Sequence, residues 1–135
     1  MGATALAEIL GYGDVNRSPV EIVEQGLPYV TVERLASLLE LSMEELCKIL
    51  PVSRRTLARY RGECLDAHLS DHLMTVGRVY ERAVEVLENP ANAILWLKTP
   101  NYTFRLRRPL DYLSSFTGIQ EVLDELGRLQ HGIFA

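Results

Sequence analysis

Cysteine is scarce in this 135-residue chain: Cys47 and Cys64 are the only two, and they form no Cys-x-x-Cys pair. This scarcity argues against a disulfide framework and against a structural zinc site. No apolar run approaches the ~18 residues of a membrane span. The first residues lack a basic segment, and Glu8 interrupts their apolar run, so no secretion signal is predicted. Together these absences predict a cytoplasmic protein that makes no membrane contact.

Residues that carry out catalysis or hold a metal are also few. His68 and His72 have the i, i+4 spacing of metal ligands, but only Asp71 stands near them as a third ligand. Cys47 is interpreted as a packed core residue, and Cys64 has His68 nearby but no third group to orient a nucleophile–base pair. No glycine-rich phosphate loop is present. We therefore expect the chain not to be an enzyme and to hold no metal or cofactor.

Positive charge is limited and concentrated in one segment. The net charge is −4, with two basic and eight acidic residues in 1–45 and seven basic against ten acidic in 63–135. Residues 46–62 carry no acidic residue and five basic ones, which are Lys48, Arg54, Arg55, Arg59 and Arg61. This distribution excludes a general polyanion binder, so any nucleic-acid contact must come from that one patch.

Helical periodicity runs through nearly the whole chain, and no segment shows sustained strand-like alternation. We predict an all-α fold in three parts: a flexible lead-in over residues 1–17, a helix-turn-helix bundle over residues 18–66 and a small helical C-terminal domain over residues 67–135. Helix starts are predicted at favourable capping residues, which are Ser18, Thr31, Ser42, Ser53, Ser70, Asn89 and Thr117.

The helix predicted to begin at Ser70 is the longest, runs to about Glu88 and joins the two domains. Its two neighbouring apolar stripes consist of Leu69, Leu73, Val76, Tyr80, Ala83 and Leu87, and of Val79 and Val86. Such a wide apolar face indicates burial on two sides, so the helix either links the two halves or forms a dimer seam. A start at Ser70 also separates His68 from the helix that holds His72.

The basic segment has the pattern of a helix-turn-helix motif. A helix that opens at Ser42 must end at Pro51, and Ser53 caps a second helix that reaches about Gly62. The predicted inward residues are Leu46, Leu50, Val52, Leu57 and Tyr60. In such a motif the second helix enters the major groove, where arginine offers paired donors to guanine and positive charge to phosphate.

The stretch Val52–Tyr60 resembles the recognition end of Xre-type repressor helices, which implies binding of double-stranded operator DNA. The predicted DNA-binding residues are Ser53, Arg54, Arg55, Thr56, Arg59 and Arg61. The chain departs from that family at Pro51, where glycine is usual. Proline cannot adopt a positive φ, so the turn must be built differently. A helical hairpin with solvated arginines is the competing interpretation.

Several uncommon elements follow one another in the second half: Trp96-Leu97-x-x-Pro100-Asn101, then Pro109-Leu110-Asp111-x-Leu113, then a final helix with Gly118 and an ending at Gly132. Their order resembles the C-terminal domain of the Xre/MbcA/ParS-like antitoxins. With the helix-turn-helix, the resemblance covers roughly residues 27–135. It implies an antitoxin that neutralises a NAD-consuming toxin with a RES domain and represses its own operon, alone or with the toxin. The chain departs from the family over Tyr102–Arg108, where a small glycine-containing turn is common.

Under this resemblance the predicted toxin-binding residues are Arg105, Arg107, Arg108, Arg128, Ile133, Phe134 and Ala135. The three arginines of the loop either pair with acidic toxin groups or a phosphate of NAD, or are solvated. Arg128 either pairs with Asp124 or reaches the toxin. Ile133 and Phe134 are predicted to lie beyond the last helix and to dock in the protein's own core or at the toxin's active-site entrance.

The predicted assembly is a homodimer that also forms a hetero-oligomer with toxin, because one recognition helix buries too little surface for specific DNA binding. The alternative function is a stand-alone helix-turn-helix transcriptional repressor whose C-terminal domain serves only for dimerisation. A small enzyme is the third possibility. Trp96 is expected in the core of the second half.

Overall fold

A computed structural model describes Leu6, residues 9–11 and residues 17–134 of the chain. The chain forms two compact units, Met1–Gly77 and Arg78–Ala135. Within the described residues all regular structure is helical, since there are only isolated bridges and no strand. The predicted all-α fold class is confirmed.

Over residues 17–77, the first unit contains four short helices and the beginning of a long one. They are α1 (Pro19–Gln25), α2 (Val30–Leu39), α3 (Met43–Ile49), α4 (Arg54–Ala58) and α5 (Ala67–Leu87). Ser18, Ser42 and Ser53 are confirmed as caps, because each hydroxyl oxygen accepts a hydrogen bond from the backbone N–H three residues later. Thr31 is not a cap: it lies inside α2, and its hydroxyl donates to the carbonyl oxygen of Pro28 at 2.7 Å.

Gly26 ends α1 in a conformation that favours glycine. Its φ is +91°, and a Cβ at this position would lie 2.1 Å from the carbonyl oxygen of Leu65. The close approach accompanies a hydrogen bond from the N–H of Leu65 to the carbonyl oxygen of Leu27 at 2.8 Å, beside an isolated bridge between Pro28 and Cys64. The segment that follows α4 is thereby tied to the start of α2.

The long helix α5 begins at Ala67, earlier than the predicted start at Ser70. Asp66 is its cap, since Asp66 Oδ1 accepts from the N–H of Leu69 at 2.7 Å. Ser70 is buried inside the helix, and its hydroxyl accepts from the N–H of Leu27 at 2.9 Å. A buried backbone donor needs such a partner. The Ser70 hydroxyl therefore accepts from the backbone of a distant loop instead of capping a helix.

The two apolar stripes of α5 face inward except at Leu87, which is half-buried. The residues that are at most 6 % exposed are Leu69, Leu73, Val76, Val79, Tyr80, Ala83 and Val86. α5 runs from the first unit into the second, so it links the two halves. The division between the two units falls at Gly77, inside α5, and the domain boundary near residue 66 stays a prediction.

Leu6 and Leu10 belong to the core of the first unit, although the sequence predicts a flexible lead-in over residues 1–17. Both side chains are fully buried. Their Cδ1 atoms lie only 3.0 and 3.3 Å from the place where a Cβ on Gly77 would stand, so the bare glycine of α5 leaves room for them. The remainder of the lead-in, residues 1–5, 7–8 and 12–16, lies outside the described residues.

The second unit continues from the end of α5 through shorter elements to a final helix. They are α6 (Pro90–Lys98), the 3₁₀ turns η1 (Tyr102–Phe104) and η2 (Pro109–Tyr112), and α7 (Phe116–Phe134). Asn89 caps α6 as predicted. The predicted cap of the final helix, Thr117, is wrong: Ser115 Oγ accepts from the N–H of Gly118 at 3.0 Å.

Phe104 is the central aromatic residue of the second unit. It is 1 % exposed, and its ring meets the rings of Trp96 and Tyr112 edge-on at centroid distances of 6.2 and 4.9 Å. Trp96, which the sequence places in the core, is only half-buried. The aromatic cluster fixes the loop between α6 and η2 on the unit's core.

The final helix runs through Ile133 and Phe134, so the prediction that these residues lie beyond it is wrong. Their side chains and the whole of Ala135 lie outside the described residues. Docking of these three residues stays a prediction.

Candidate nucleic-acid interface and partner-binding surface

The turn between α3 and α4 is built without a positive φ. Leu50 has φ −94° and ψ 12°, and the N–H of Val52 donates to the carbonyl oxygen of Cys47 at 3.3 Å. None of residues 50–53 adopts the left-handed region. Pro51 is therefore compatible with a helix-turn-helix here, as the predicted departure from the glycine-containing turn requires.

Buried leucines and a histidine hold the two helices of the motif. Leu46 and Leu57 are at most 1 % exposed, whereas Val52 and Tyr60, also predicted as inward residues, are half-buried. His72 of α5 places Nε2 2.8 Å from the carbonyl oxygen of Ile49, the last residue of α3. Because a carbonyl only accepts, this ring nitrogen carries the proton and donates. The C-terminus of α3 is thus fixed to α5.

The arginine-bearing segment is shorter as an α-helix than predicted, because α4 ends at Ala58. Tighter turns continue it: the N–H groups of Arg59 and Arg61 donate to the carbonyl oxygens of Thr56 and Ala58 at 3.2 Å each. The segment ends at Gly62, which has a φ of +79°. The segment still ends where the sequence predicts.

Four arginines are exposed along this segment: Arg54, Arg55, Arg59 and Arg61. Among the ion pairs formed between described residues, none involves any of the four. Their charge is therefore not neutralised by a described carboxylate and is available to phosphate oxygens and guanine edges.

A short chain of hydrogen bonds orients Arg59. Ser53 Oγ accepts from the N–H of Thr56 at 3.0 Å and donates to Thr56 Oγ1 at 2.9 Å, while Arg59 Nη2 donates to the same Oγ1 at 3.2 Å. Ser53 and Thr56, both predicted to bind DNA, thus support the guanidinium of Arg59.

Cys47 is buried where α3 meets the arginine-bearing segment. It lines a cleft of about 280 Å³ together with Tyr29, Met43, Arg54 and Arg61. Burial raises the pKa of the Cys47 thiol, and the nearby charge of Arg54 acts in the opposite direction. A protonated, buried thiol packs as a small apolar side chain and is a poor nucleophile.

His68 and His72 both lie on α5, so the prediction that a helix start separates them is wrong. His72 Nε2 donates to the carbonyl oxygen of Ile49. The described residues contain no group of three or more His, Cys, Asp and Glu side chains arranged to hold a metal ion. No described helix combines the length and apolarity needed to cross a bilayer.

In the second unit, two predicted toxin-binding arginines are engaged within the chain. Arg108 donates to both carboxylate oxygens of Asp111, from Nη2 at 2.8 Å and from Nε at 3.2 Å. This side-chain hydrogen bonding is the main cause that holds the pKa of Asp111 below its ordinary value. Arg107 stacks over the ring of Tyr112 at 5.1 Å. Both arginines therefore stabilise the loop.

Arg128 pairs with Glu125, and the predicted pair with Asp124 is wrong. Arg128 Nε lies 2.7 Å from Glu125 Oε1, and the hydroxyl of Thr103 donates to Glu125 Oε2 at 3.0 Å. Asp124 instead accepts from the side-chain amide of Gln120 at 3.1 Å. Held on both sides, Glu125 is the better partner for Arg128, which remains largely exposed.

Arg105 lies in an unusual turn that the sequence does not predict. Arg105 and Leu106 have φ values of 55° and 65°, and the N–H of Arg107 donates to the carbonyl oxygen of Phe104 at 3.0 Å. Positive φ at both central residues is the mark of a type I′ turn, which normally contains glycine or asparagine. Here neither position is glycine, and the turn displays Arg105 and Leu106 to solvent.

Exposed apolar side chains of the second unit were missed by sequence reasoning. They are Leu95, Tyr102, Leu106 and Phe116, which are 67 %, 88 %, 60 % and 77 % exposed. The available signal was an apolar residue between Arg105 and Arg107, where the resembling family has a glycine-containing turn. Apolar exposure of this kind is typical of interaction surfaces.

Comparisons with known proteins agree with the two halves. Residues 18–73 match the model of the antitoxin Xre-like helix-turn-helix domain, and residues 82–132 match that of the antitoxin Xre/MbcA/ParS C-terminal toxin-binding domain. The chain is 26 % identical over 119 residues to an antitoxin Xre of Yersinia enterocolitica, covering 86 % of this chain and 80 % of that one. It also resembles a chain in the crystal structure of the M. tuberculosis MbcT–MbcA toxin–antitoxin complex, with a TM-score of 0.58, 28 % identity, and coverage of 79 % of this chain and 96 % of that one.

Proposed function

Because the chain belongs to the Xre/MbcA/ParS antitoxin family, we propose that it neutralises a NAD-consuming RES-domain toxin and binds its own operator. In this proposal the second unit covers the toxin's active site and keeps NAD from entering. The first unit binds double-stranded operator DNA and thereby regulates the operon. The chain acts by binding alone and transforms no substrate itself.

The observation that carries the proposal is the pairing, in one chain, of an ion-pair-free arginine helix with a domain of the toxin-binding type. Four arginines on or next to α4 have no ion-pair partner among the described residues, and residues 82–132 match the toxin-binding domain. A repressor whose second half served only for dimerisation would not need the second feature. The antitoxin reading is therefore favoured over the stand-alone repressor.

For operator binding, the bases are proposed to meet Arg54, Arg55 and Arg59, while Arg61 neutralises phosphate. Ser53 and Thr56 position Arg59 through the hydrogen bonds described above. A single short recognition helix buries too little surface for specificity, so two copies bind adjacent half-sites. Their binding weakens steeply as salt rises, because each arginine–phosphate contact releases counterions.

For toxin binding, the proposed contacts are Arg105, Arg107, Arg108 and Arg128, together with Ile133, Phe134 and Ala135. Arg105 is exposed and presents its charge directly, and Arg128 is exposed but paired with Glu125. Arg108 acts mainly by holding the loop through Asp111. Ile133 and Phe134 are proposed as the apolar part of the contact, since their exposure to water would forfeit roughly 2–3 kcal/mol each of burial.

Co-expression with the product of the adjacent reading frame tests the proposal. A tagged copy of this chain should co-purify with a RES-domain protein, and the intact complex should consume NAD far more slowly than the toxin released by unfolding and refolding. A complex that consumes NAD as fast as the free toxin contradicts active-site blocking. Tight operator binding without any co-purifying protein supports the stand-alone repressor instead.

A further inference from the structure

The loop between α6 and η2 contains two consecutive non-glycine residues in the left-handed backbone conformation, which glycine adopts with less strain. Side chains at positive φ clash with their own backbone, so L-residues other than glycine, asparagine and aspartate avoid this region. Arg105 and Leu106 adopt it one after the other. Strain of this kind persists only where the surroundings hold it, and it concentrates at functional sites.

The surroundings of this turn do hold it. Backbone hydrogen bonds of Asn101 hold the far side of the loop. Its N–H donates to the carbonyl oxygen of Arg107 at 3.1 Å, and its carbonyl oxygen accepts from the N–H of Leu106 at 2.9 Å. Phe104 is buried beneath the turn, and its carbonyl oxygen accepts from the hydroxyl of Tyr112 at 3.2 Å. The backbone of the turn is therefore ordered before any partner arrives, so it loses little conformational entropy on binding.

The outer face of the turn combines apolar area with positive charge. Tyr102 is 88 % exposed and Leu106 is 60 % exposed, and Arg105 is exposed between them. From Asn89 to Leu110 the sequence has four basic residues and no acidic one. Tyrosine and arginine are the residues that most often carry binding energy at protein interfaces.

We propose that the turn Tyr102–Arg107 is a docking element that recognises an apolar socket rimmed by carboxylates on the toxin. Leu106 and the ring of Tyr102 fill the socket, and Arg105 pairs with the rim. The inference rests on the proposed function, because the toxin proposed above is the partner. The inference adds that the folded chain keeps the strained turn because the turn presents these side chains to the toxin. Relieving the strain by removing a side chain should therefore raise the stability of the chain and lower its affinity for the toxin.

Replacement of Leu106 separates these two effects. Leu106→Gly removes the side chain and the part of the strain that lies at this position, so the melting temperature of the purified chain should rise by a few degrees while toxin affinity falls about tenfold or more. Leu106→Ala removes the side chain but keeps a Cβ at positive φ, so affinity should fall without the gain in stability. Val20→Ala, which truncates a 64 % exposed side chain on α1, is the matched control and should change neither.

Affinity is best measured by competition, since a toxin that consumes NAD is difficult to produce alone. Wild-type and variant chains with different tags are co-expressed with a limiting amount of the adjacent RES-domain protein. Their ratio in the toxin-bound pool, divided by their ratio in the soluble extract, gives relative affinity. Two differently tagged wild-type chains set the ratio expected for equal binding.

Depletion of Leu106→Gly from the toxin-bound pool, together with its higher melting temperature, is the expected result. Equal capture of Leu106→Gly and wild type overturns the docking element but leaves the proposed function standing. A variant no more stable than wild type overturns the strain argument. Unchanged capture combined with loss of a dimer of the chain alone assigns the turn to self-association and also overturns the proposal. Failure of wild type to capture the toxin contradicts the proposed function itself.

Discussion

Tyr60 donates its hydroxyl hydrogen to Asp66 Oδ2 at 2.7 Å, while Asp66 Oδ1 accepts from the N–H of Leu69. One carboxylate therefore caps α5 and fastens the end of the arginine-bearing segment to it. The hydrogen bond from the N–H of Leu69 is the main cause that lowers the pKa of Asp66, and the bond from the Tyr60 hydroxyl is the second. The bond between Tyr60 and Asp66 is also the main cause that raises the pKa of Tyr60. The angle at which the arginines are presented depends on this link.

Asp66 and Tyr60 should differ in what they contribute. Asp66→Ala removes the cap and the link, so it should lower the free energy of unfolding by about 1 kcal/mol. Tyr60→Phe keeps the cap and should lower stability less, yet both variants should bind operator DNA severalfold more weakly because the segment is loosened. Thermal unfolding and gel retardation measure the two effects. An Asp66→Ala chain as stable as wild type would show that the cap contributes nothing.

The arginine segment should be essential for operator binding and nearly neutral for folding. Replacing Arg54, Arg55 and Arg59 with alanine should abolish operator retardation in a gel and shift the melting temperature little, since all three side chains are exposed. Replacing Arg105 and Arg107 with alanine removes charge from the second unit and should leave retardation unchanged. If the triple variant still retards the operator, the groove assignment is incorrect.

A side chain at Gly118 should destabilise the fold, whereas a side chain at Gly127 of the same helix should stabilise it. A Cβ on Gly118 would lie 1.9 Å from the carbonyl oxygen of Tyr112, while nothing lies within 4 Å of a Cβ on Gly127. Gly118→Ala should therefore lower the free energy of unfolding by about 3 kcal/mol or more. Gly127→Ala should raise it by about 0.5–1 kcal/mol, because alanine is the better helix former. Urea denaturation of the two variants compares them directly, and equal effects would contradict the geometry.

Acid should destabilise the second unit through Asp111. Its pKa is lower in the folded chain than in the unfolded one, so the ionised form contributes stability above the unfolded pKa, and this stability is lost as pH falls through the folded pKa. Arg108→Gln removes the main cause, so the pKa of Asp111 should rise towards its ordinary value. Carbon-detected NMR titration of the carboxyl group measures the change. The pKa of Asp66, which has other partners, should stay as it is and serves as the internal control.

Ile133 and Phe134 should matter for inhibition of the toxin. Replacing both with serine should raise the residual NAD consumption of the purified complex, because the apolar contact proposed for them would be lost. Gly132→Ala is the control on the same turn, since nothing lies within 4 Å of the added Cβ. Inhibition by the double variant equal to that of wild type would remove these residues from the proposed contact.

The sequence by itself determined the helical architecture and the location of the basic segment. Ser42 and Glu45 form the capping box that their spacing predicts, and Gly26 and Asn89 end and begin helices as expected. These features depend on hydrogen bonds and dihedral preferences between residues a few positions apart. The exposure of the arginines of the α4 segment follows equally from helical period.

The tertiary structure decided between signals that are locally equivalent. Asp66 and Ser70 are both favourable caps. Asp66 caps α5, which begins at Ala67, and Ser70 instead accepts from the N–H of Leu27, 43 residues away. Arg128 pairs with Glu125 and not with Asp124, because the hydroxyl of Thr103, from a distant loop, holds the Glu125 carboxylate in place. Such choices depend on which chain segments come together.

The strained turn at Arg105 and Leu106 is the clearest case. No local preference favours two consecutive non-glycine residues at positive φ, and the buried ring of Phe104 and the hydrogen bonds of Asn101 and Tyr112 help to hold them there. Interactions that outweigh a local preference are made by residues far apart in sequence, so they are visible only once the chain has folded.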